Sequence, residues 1–297
     1  MVWDLKIQKK LKRYRQIKFE KYGAVSDRSD KVKKKLHVLQ LLLLSKERKF
    51  IQMTKALLFD IDDTLYDLAQ PFYQAYQEVF LKADEESGKS RDTDWMERLF
   101  LASRKYSDEI FAVAQTKKIS EEEMFIYRIR QPLADFGEKI SGQKAMEFQK
   151  AYEKYQRQIT LSETIRQLLE LCRSQYVLGI ITNGLSAHQR NKIQILKLER
   201  YIPKEQIFVS GEVGVPKPAP EIFARALHKL GIAPAQAYFI GDSFENDMIG
   251  AKNAGMSAIW FHRRGPFVSG EIQPDYTVTS ESELYSLIQK QFIPQKI

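Results

Sequence analysis

Three aspartates and a threonine follow a short apolar run near residue 60. Apolar residues 56–59 lead directly into Asp60, Asp62, Asp63 and Thr64. Carboxylates packed at the end of a buried strand repel one another and lose hydration at a cost, so stability alone does not explain them. A divalent cation would reverse that balance. Because residues two apart in a strand point the same way, Asp60 can attack a bound group while Asp62 moves a proton.

An aspartate-rich turn is the alternative explanation, since aspartate is common where strands end. Three later segments favour the catalytic explanation, because each places polar or charged groups after an apolar run or between prolines. These segments are Thr182-Asn183-Gly184 after the run 177–181, Pro216-Lys217-Pro218, and Gly241-Asp242 followed by Asp247. In open α/β sheets, ligands bind at the carboxyl ends of the strands, where such groups would meet.

Strand and helix patterns alternate along most of the chain. Strands are predicted at 56–59, 177–182, 207–210, 238–241, 258–261 and 276–278, and four helical stretches at 71–82, 93–116, 121–136 and 142–158. Residues 120–123 form a capping-box pattern, and Pro132 is predicted to kink or end the third stretch. The alternation predicts an α/β fold with a doubly wound, mainly parallel sheet.

The ordered motifs resemble those of the haloacid dehalogenase superfamily, in its phosphatase branch, from about Met53 to the C-terminus. The resemblance implies that Asp60 is the nucleophile, which becomes an aspartyl phosphate. It implies that Asp62 is the general acid and then the general base. Thr182 would hydrogen-bond the phosphoryl oxygens, and Lys217 would offset their charge. Dehalogenases of this superfamily lack the second aspartate, so Asp62 favours a phosphatase.

The same resemblance implies a metal site. Mg²⁺, with Mn²⁺ as the alternative, would be held by Asp60, the backbone carbonyl of Asp62, and Asp242. Asp247 would be a further ligand or a carboxylate just beyond the ligands. Mg²⁺ suits such all-oxygen ligation with several retained waters.

The chain divides into three predicted parts: a basic extension at 1–52, a catalytic core at 53–68 and 160–297, and a helical cap at 69–159. Only 34 residues separate Thr182 from Lys217, which leaves no room for a cap there. The helical segment after the nucleophile is therefore expected to be the cap, closing over the site and excluding water. Most cap aromatic residues are predicted to fill its own core, with one or two stacking on a base or ring.

The substrate is predicted to be a small phosphorylated metabolite. Segments 179–184, 211–218 and 274–278 resemble bacterial nucleoside 5′-monophosphatases of this superfamily, which act on pyrimidine and non-standard nucleotides. Sugar phosphates and phosphoglycolate are alternatives, and a phosphomutase would share every core motif. Asn183 is either a substrate contact beyond the phosphate or a turn former.

Cysteine and histidine usage adds little chemistry. Cys172 is the only cysteine, which excludes a disulfide framework and a cysteine zinc site; it is predicted to be buried in an amphipathic helix over 162–173. The four histidines show no metal-ligand spacing and are interpreted as surface or loop residues. A cytoplasmic enzyme without a membrane span is expected.

The net charge of +9 arises from the first 52 residues, which carry 16 lysines and arginines against 5 acidic residues. The other 245 residues carry 31 against 33. Three interpretations of this segment are open: a basic helix that binds nucleic acid or an anionic membrane surface, a targeting sequence, or a segment that is not a natural domain. Met53 stands immediately before the first core strand, and our hypothesis is that translation starts there, with 1–52 a mis-assigned extension or a disordered tail.

Overall fold

The computed structural model describes residues 55–115, 118–268 and 270–293. The hypotheses about residues 1–52 and about Met53 fall outside these ranges. Among the described residues, no helix has both the length and the apolar character that crossing a bilayer requires.

A single parallel sheet of six strands forms the centre of the described chain. Its order is β3-β2-β1-β4-β5-β6, so β1 is flanked by strands that follow it on both sides. The strands are β1 (Ala56–Phe59), β2 (Val177–Thr182), β3 (Ile207–Val209), β4 (Ala237–Gly241), β5 (Ser257–Phe261) and β6 (Tyr276–Val278). The order in which strands are added reverses beside β1, which opens a crevice at the carboxyl ends of β1 and β4.

Helices surround the sheet and fill the long connection between β1 and β2. The helices are α1 (Ala69–Glu86), α2 (Thr93–Gln115), α3 (Glu121–Asp135), α4 (Gly142–Gln156), α5 (Glu163–Arg173), α6 (Ser186–Ile195), α7 (Ser210–Val213), α8 (Pro220–Leu230), α9 (Gly250–Asn253) and α10 (Glu281–Gln291). A wide helical turn, Phe244–Ile249, leads directly into α9.

The core follows from strands that are apolar on both faces. All four residues of β1 are completely buried, as parallel strands covered by helices require. One face of the sheet packs on α8 through Ile222 and Phe223, with Phe223 edge-on to Phe239 of β4 at 5.2 Å. This packing fixes the strands whose ends carry the polar motifs.

The sequence predicted the α/β fold class and every strand, with bounds displaced by one residue at most in β3, β4 and β5. The four helices between β1 and α5 are also present, and Ser120 makes the predicted capping box with Glu123. Pro132 lies inside α3, which continues to Asp135, so the alternative that it ends the helix is wrong and the kink stays a prediction. Proline removes one backbone donor here without ending the helix.

Helices α1 to α4 have an aromatic core of their own. The Phe72 ring lies edge-on to Phe100, Phe148 and Tyr152 at centroid distances of 5.2 to 6.1 Å, a favourable arrangement for aromatic pairs. Phe72 and Phe100 are each 2 % exposed. The prediction that most of these aromatic residues pack within the helical segment is confirmed for this group.

Candidate active site

The carboxyl edge of the sheet gathers the acidic motifs into one cluster. Asp60 follows β1, Asp242 follows β4, and Asp247 lies on the turn Phe244–Ile249. One carboxylate oxygen from each lies within 4.8 Å of the other two. Three carboxylates so close together repel strongly unless a cation lies among them. Their all-oxygen donor set fits a hard divalent ion such as Mg²⁺.

Lys217 supplies the fixed positive charge of this cluster. Its ammonium nitrogen lies 2.9 Å from Asp60 Oδ1 and 2.6 Å from Asp247 Oδ1, and the residue is 3 % exposed. Burial would lower the pKa of Lys217, but the two carboxylates raise it above its ordinary value, so the lysine stays charged. A buried lysine in this position can offset the charge of an anionic ligand beside Asp60.

Asn183 determines where Lys217 lies. Its side-chain amide donates to the Lys217 carbonyl at 2.9 Å, and its oxygen accepts from the Lys217 amide at 2.8 Å. The Asn183 side chain therefore bonds to both the N–H and the C=O of Lys217, and it joins the end of β2 to the loop that carries the lysine. This favours a positioning role for Asn183 over the substrate contact that the sequence left open.

Thr182 ends β2 with a buried hydroxyl that lacks a partner. The residue is 1 % exposed, and none of the described residues forms a hydrogen bond with its Oγ1. A buried unpaired hydroxyl is costly, so such atoms call for a particular explanation. A hydroxyl at a strand end can be satisfied by an oxygen of a bound ligand.

The Asp62 carboxylate lies outside the three-carboxylate cluster and has partners of its own. Tyr66 donates to Oδ1 at 2.5 Å, Gln189 donates to Oδ2 at 2.8 Å, and Lys192 contacts both oxygens at 2.7 and 2.9 Å. Burial would raise the pKa of Asp62, but Lys192, with Arg104 and Gln189, holds it well below its usual range. Metal contact through its backbone carbonyl stays a prediction.

Burial and crowding alter the acidity of the cluster. Burial and the neighbouring Asp60 raise the pKa of Asp247 to about 6, although Lys217 opposes the rise. Burial also raises the pKa of Asp242, and the nearby carboxylates add to the effect while Arg104 opposes it. A cation bound among these oxygens would favour the ionised carboxylates instead.

Two arginines after β5 hold the loop that carries the aspartates. Arg264 contacts Asp63 Oδ1 at 2.5 Å and Asp67 Oδ1 at 2.8 Å, and Arg263 donates to the Asp63 carbonyl at 3.1 Å. Asp63 has a positive φ of 58°, which costs strain in a residue other than glycine. The arginine contacts stabilise that backbone, and with it the direction of Asp60 and Asp62.

A small cavity of about 120 Å³ opens beside Asp62. The core contributes Asn183 and part of α6, while α2 and α3 contribute the opposite wall. The charged or titratable side chains on the wall are Asp62, Arg104, Asp108, Arg128, His188 and Lys192, and Phe111, Met124 and Phe125 supply apolar surface. The cavity is where a group attached to a ligand beside Asp60 would lie.

Sequence reasoning missed Tyr66, Gln189, Lys192 and the two cavity arginines, since no motif marks them. The three-residue spacing of Gln189 and Lys192 on α6 was the available signal. His262 lies in the loop after β5, within the interpretation of the histidines as surface or loop residues, but it is buried: it is 6 % exposed, between the rings of Trp260 and Phe267. Cys172 is buried in α5, as predicted.

Comparison with known proteins adds family evidence. The haloacid dehalogenase-like hydrolase family model matches residues 54–255. A glyceraldehyde 3-phosphate phosphatase of Methanopyrus kandleri is 27 % identical over 80 % of this chain and 98 % of its own length. One from Methanothermobacter thermautotrophicus is 31 % identical over 70 % and 85 %. A pyrimidine 5′-nucleotidase of Escherichia coli is 37 % identical, but over only 41 % of this chain and 54 % of its own.

Solved structures agree in fold. A HAD hydrolase of Bacillus subtilis, solved with magnesium and showing interdomain movement, aligns over 79 % of this chain and 98 % of its own with a TM-score of 0.59 and 23 % identity. A HAD phosphatase of Thermococcus onnurineus aligns over 81 % and 100 % with a TM-score of 0.50 and 25 % identity. With the family match across two thirds of the sequence, these findings show that the chain belongs to the haloacid dehalogenase-like hydrolases.

Proposed function

We propose that this protein is a metal-dependent phosphomonoesterase that acts on small phosphorylated metabolites through an aspartyl-phosphate intermediate. The observation that carries the proposal is the geometry at Asp60, a buried carboxylate 2.9 Å from the buried Lys217 ammonium, with the unpaired Thr182 hydroxyl at the end of the neighbouring strand β2. Phosphoryl transfer depends mainly on positioning and charge stabilisation, and these groups supply both.

Asp60, Asp242 and Asp247 would hold Mg²⁺, with Mn²⁺ as the alternative. Their donor set fits, because three carboxylates with oxygens within 4.8 Å of one another, two of them on buried residues, carry more negative charge than Lys217 alone offsets. Bound there, the ion would offset phosphate charge and allow a carboxylate to approach a dianion. Asp62 would contribute its backbone carbonyl, as the resemblance implies.

Each remaining residue has one role in the proposal. Asp60 attacks phosphorus, the bond to the alcohol oxygen breaks, and the phosphoryl group passes to the Asp60 carboxylate. Thr182 donates its free hydroxyl to a phosphoryl oxygen. Lys217 offsets the charge there, and Asn183 keeps its backbone in place through the two amide bonds.

Asp62 transfers protons in both half-reactions of this scheme. It protonates the departing alcohol and then takes a proton from the water that hydrolyses the intermediate. The carboxylate is ionised beside Lys192, so it must part from the lysine and gain a proton before the first step. Helices α1 to α4, over 69–159, act as the cap that closes over the site and excludes bulk water during both half-reactions.

The substrate class in this proposal is a small phosphorylated metabolite. Relatives are named as phosphatases of glyceraldehyde 3-phosphate, N-acylneuraminate 9-phosphate and phosphoserine, and one as a pyrimidine 5′-nucleotidase. Nucleoside 5′-monophosphates are the preference that the sequence predicts, supported by the nucleotidase of Escherichia coli over about half its length.

Phosphate release from a panel of phosphomonoesters tests this function. The panel includes nitrophenyl phosphate, nucleoside monophosphates, sugar phosphates and small phosphorylated acids, each with Mg²⁺ and again with a chelator. Metal-dependent release is expected from at least one natural ester. Release from none of them, or release that the chelator does not diminish, would contradict the proposal. Isomerised sugar phosphate without free phosphate would identify a mutase instead.

A further inference from the structure

Two arginines reach the cavity beside Asp62 from helices that lie outside the sheet. Arg104 is on α2 and Arg128 on α3, and both line the cavity together with His188 and Lys192 of α6. Burial, with Lys192 and Arg128 nearby, lowers the pKa of His188, so Arg104, Arg128 and Lys192 are the cationic groups. They meet Asp62 and Asp108 around a space of about 120 Å³. The space has more cationic than anionic groups on its walls.

The two arginines form no ion pair within the described residues. Neither guanidinium has a carboxylate oxygen of that part of the chain within 4.0 Å, whereas Lys192 is engaged with Asp62 at 2.7 Å. Arg128 instead lies over the rings of Phe125 and Tyr152, at 5.7 and 5.4 Å from their centroids. Arg104 is near several carboxylates at longer range, chiefly Asp108, which keep it charged.

Burial makes an unpaired arginine expensive. Both residues are only partly accessible, and burial lowers the pKa of Arg128 against its ordinary value. A guanidinium offers five donors in a planar fork that matches a carboxylate, and stacking on aromatic rings fixes its plane without consuming those donors. Because no carboxylate oxygen of the described residues lies within 4.0 Å of either guanidinium, their donors are left for an anionic ligand.

The size of the cavity limits what that anion can belong to. Pockets that enclose drug-sized ligands usually measure about 300 to 1,000 Å³, several times the volume here. A nucleoside is neutral beyond its phosphate and needs more room than this conformation provides. A compact acid of a few carbons would match the positive charge of the arginines and fit the cavity volume. A carboxylate also occupies less of that volume than a second phosphate would.

We propose that Arg104 and Arg128 form a carboxylate-binding subsite, so that the preferred substrate is a small phosphomonoester whose alcohol portion carries a carboxylate. This inference rests on the proposed phosphatase function and, among small phosphorylated metabolites, favours phosphorylated acids over the nucleotides that the sequence predicts. The phosphate lies at Asp60 and Lys217, the ester oxygen faces Asp62, and the carboxylate reaches the arginines from α2 and α3. Recognition of the carboxylate also draws these two helices toward the core.

Paired substrates test the subsite. Phosphoglycolate is compared with hydroxyethyl phosphate, and phosphoglycerate with glycerol phosphate, because each pair differs by one carboxylate. The wild-type protein should have a kcat/KM about 10-fold or more higher for the acid than for the neutral ester, because a charge-assisted hydrogen bond contributes enough free energy for such a ratio. Arg104→Met and Arg128→Met should each reduce that preference by up to about 10-fold, toward equal kcat/KM values within a pair, mainly through a higher KM for the acid.

Controls separate recognition from folding. Lys105→Met removes an exposed charge one position from Arg104 on the same helix, and it should leave the preference unchanged. Arg104→Lys and Arg128→Lys keep the charge without the planar fork and should retain part of the preference. Because the readout is a ratio of two substrates, a smaller folded fraction does not alter it.

Several results would overturn the subsite. Equal turnover of the acid and the neutral ester within each pair would do so. Equal losses on acid and neutral esters in the arginine variants would also do so, because they would mean that the arginines bind the phosphoryl group. Better turnover of ethylene glycol bisphosphate or uridine monophosphate than of both acids would also reject the carboxylate. No phosphate from any ester, nitrophenyl phosphate included, would instead overturn the proposed function and the subsite with it.

Discussion

Replacing Asn183 with alanine tests whether this side chain positions Lys217. The change removes two hydrogen bonds to the Lys217 backbone, at 2.9 and 2.8 Å. At about 0.5 to 1.5 kcal/mol for each bond, the free energy of unfolding should fall by about 1 to 3 kcal/mol. For a domain of this size that corresponds to a melting temperature about 2 to 12 °C lower.

The effect on activity should exceed what stability explains. Lys217 contacts Asp60 and Asp247 at 2.9 and 2.6 Å, so a displaced backbone moves the ammonium away from both. Misplacement by about 1 Å can cost about 100-fold in rate, and we expect kcat to fall by about 10- to 100-fold while KM changes little. The assay is phosphate release with Mg²⁺ at a temperature well below unfolding.

Two further variants sharpen this experiment. Asn183→Asp keeps the acceptor for the Lys217 amide but loses the donor to its carbonyl, so its loss should be intermediate. Asn191→Ala makes the same substitution at an exposed position of α6 and should change the free energy of unfolding by less than about 0.5 kcal/mol. If Asn183→Ala is destabilised but keeps wild-type kcat, the positioning argument is wrong. A change in KM that varies with the alcohol group of the substrate would instead support the interpretation of Asn183 as a substrate contact.

Four other predictions concern the proton donor, the metal ligands and the cysteine. Asp62→Asn should slow natural esters much more than nitrophenyl phosphate, whose leaving group needs no proton; equal losses in kcat would reject the acid role. Because burial raises the pKa of Asp247 to about 6, protonation should weaken Mg²⁺ binding as pH falls through 6; calorimetry showing equal affinity at pH 5 and 7.5 would contradict this. Gly241→Ala should also weaken Mg²⁺ binding, because an added Cβ would overlap Asp247 Oδ2, whereas Gly142→Ala has room. Burial raises the pKa of the Cys172 thiol to about 12, so native protein should resist alkylation at pH 8 and react once unfolded; rapid native labelling would refute the burial argument.

The sequence predicted the parts of the site that local patterns determine. Asp60, Thr182 and Asp242 each follow or end an apolar strand, and parallel strands bring their carboxyl ends to one edge, so their proximity follows from the order of residues alone. The same reasoning predicted the fold class, because alternating strands and helices form a parallel sheet covered on both faces.

Other parts of the site depend on contacts between distant segments. Lys192 reaches Asp62 across 130 positions of sequence, and Asn183 reaches Lys217 across 34. Such contacts depend on how side chains of different helices and strands are oriented, and the spacing of residues within one helix or strand does not reveal this. In the sequence, Arg104 and Arg128 resemble ordinary solvated charges on amphipathic helices. Only the packing of α2 and α3 shows that they line the cavity. The burial of His262 could not be predicted for the same reason, since it comes from two aromatic neighbours.

The central claim is that Asp60 carries the phosphoryl group during turnover. The most direct measurement is an acid quench of the protein during reaction with a radiolabelled phosphomonoester and Mg²⁺, followed by peptide mapping. We expect hydroxylamine-sensitive label on the peptide that contains Asp60, and no label in Asp60→Asn, whose turnover should fall by more than about 1,000-fold. Phosphate release without labelled protein, together with near wild-type activity of Asp60→Asn, would contradict the mechanism.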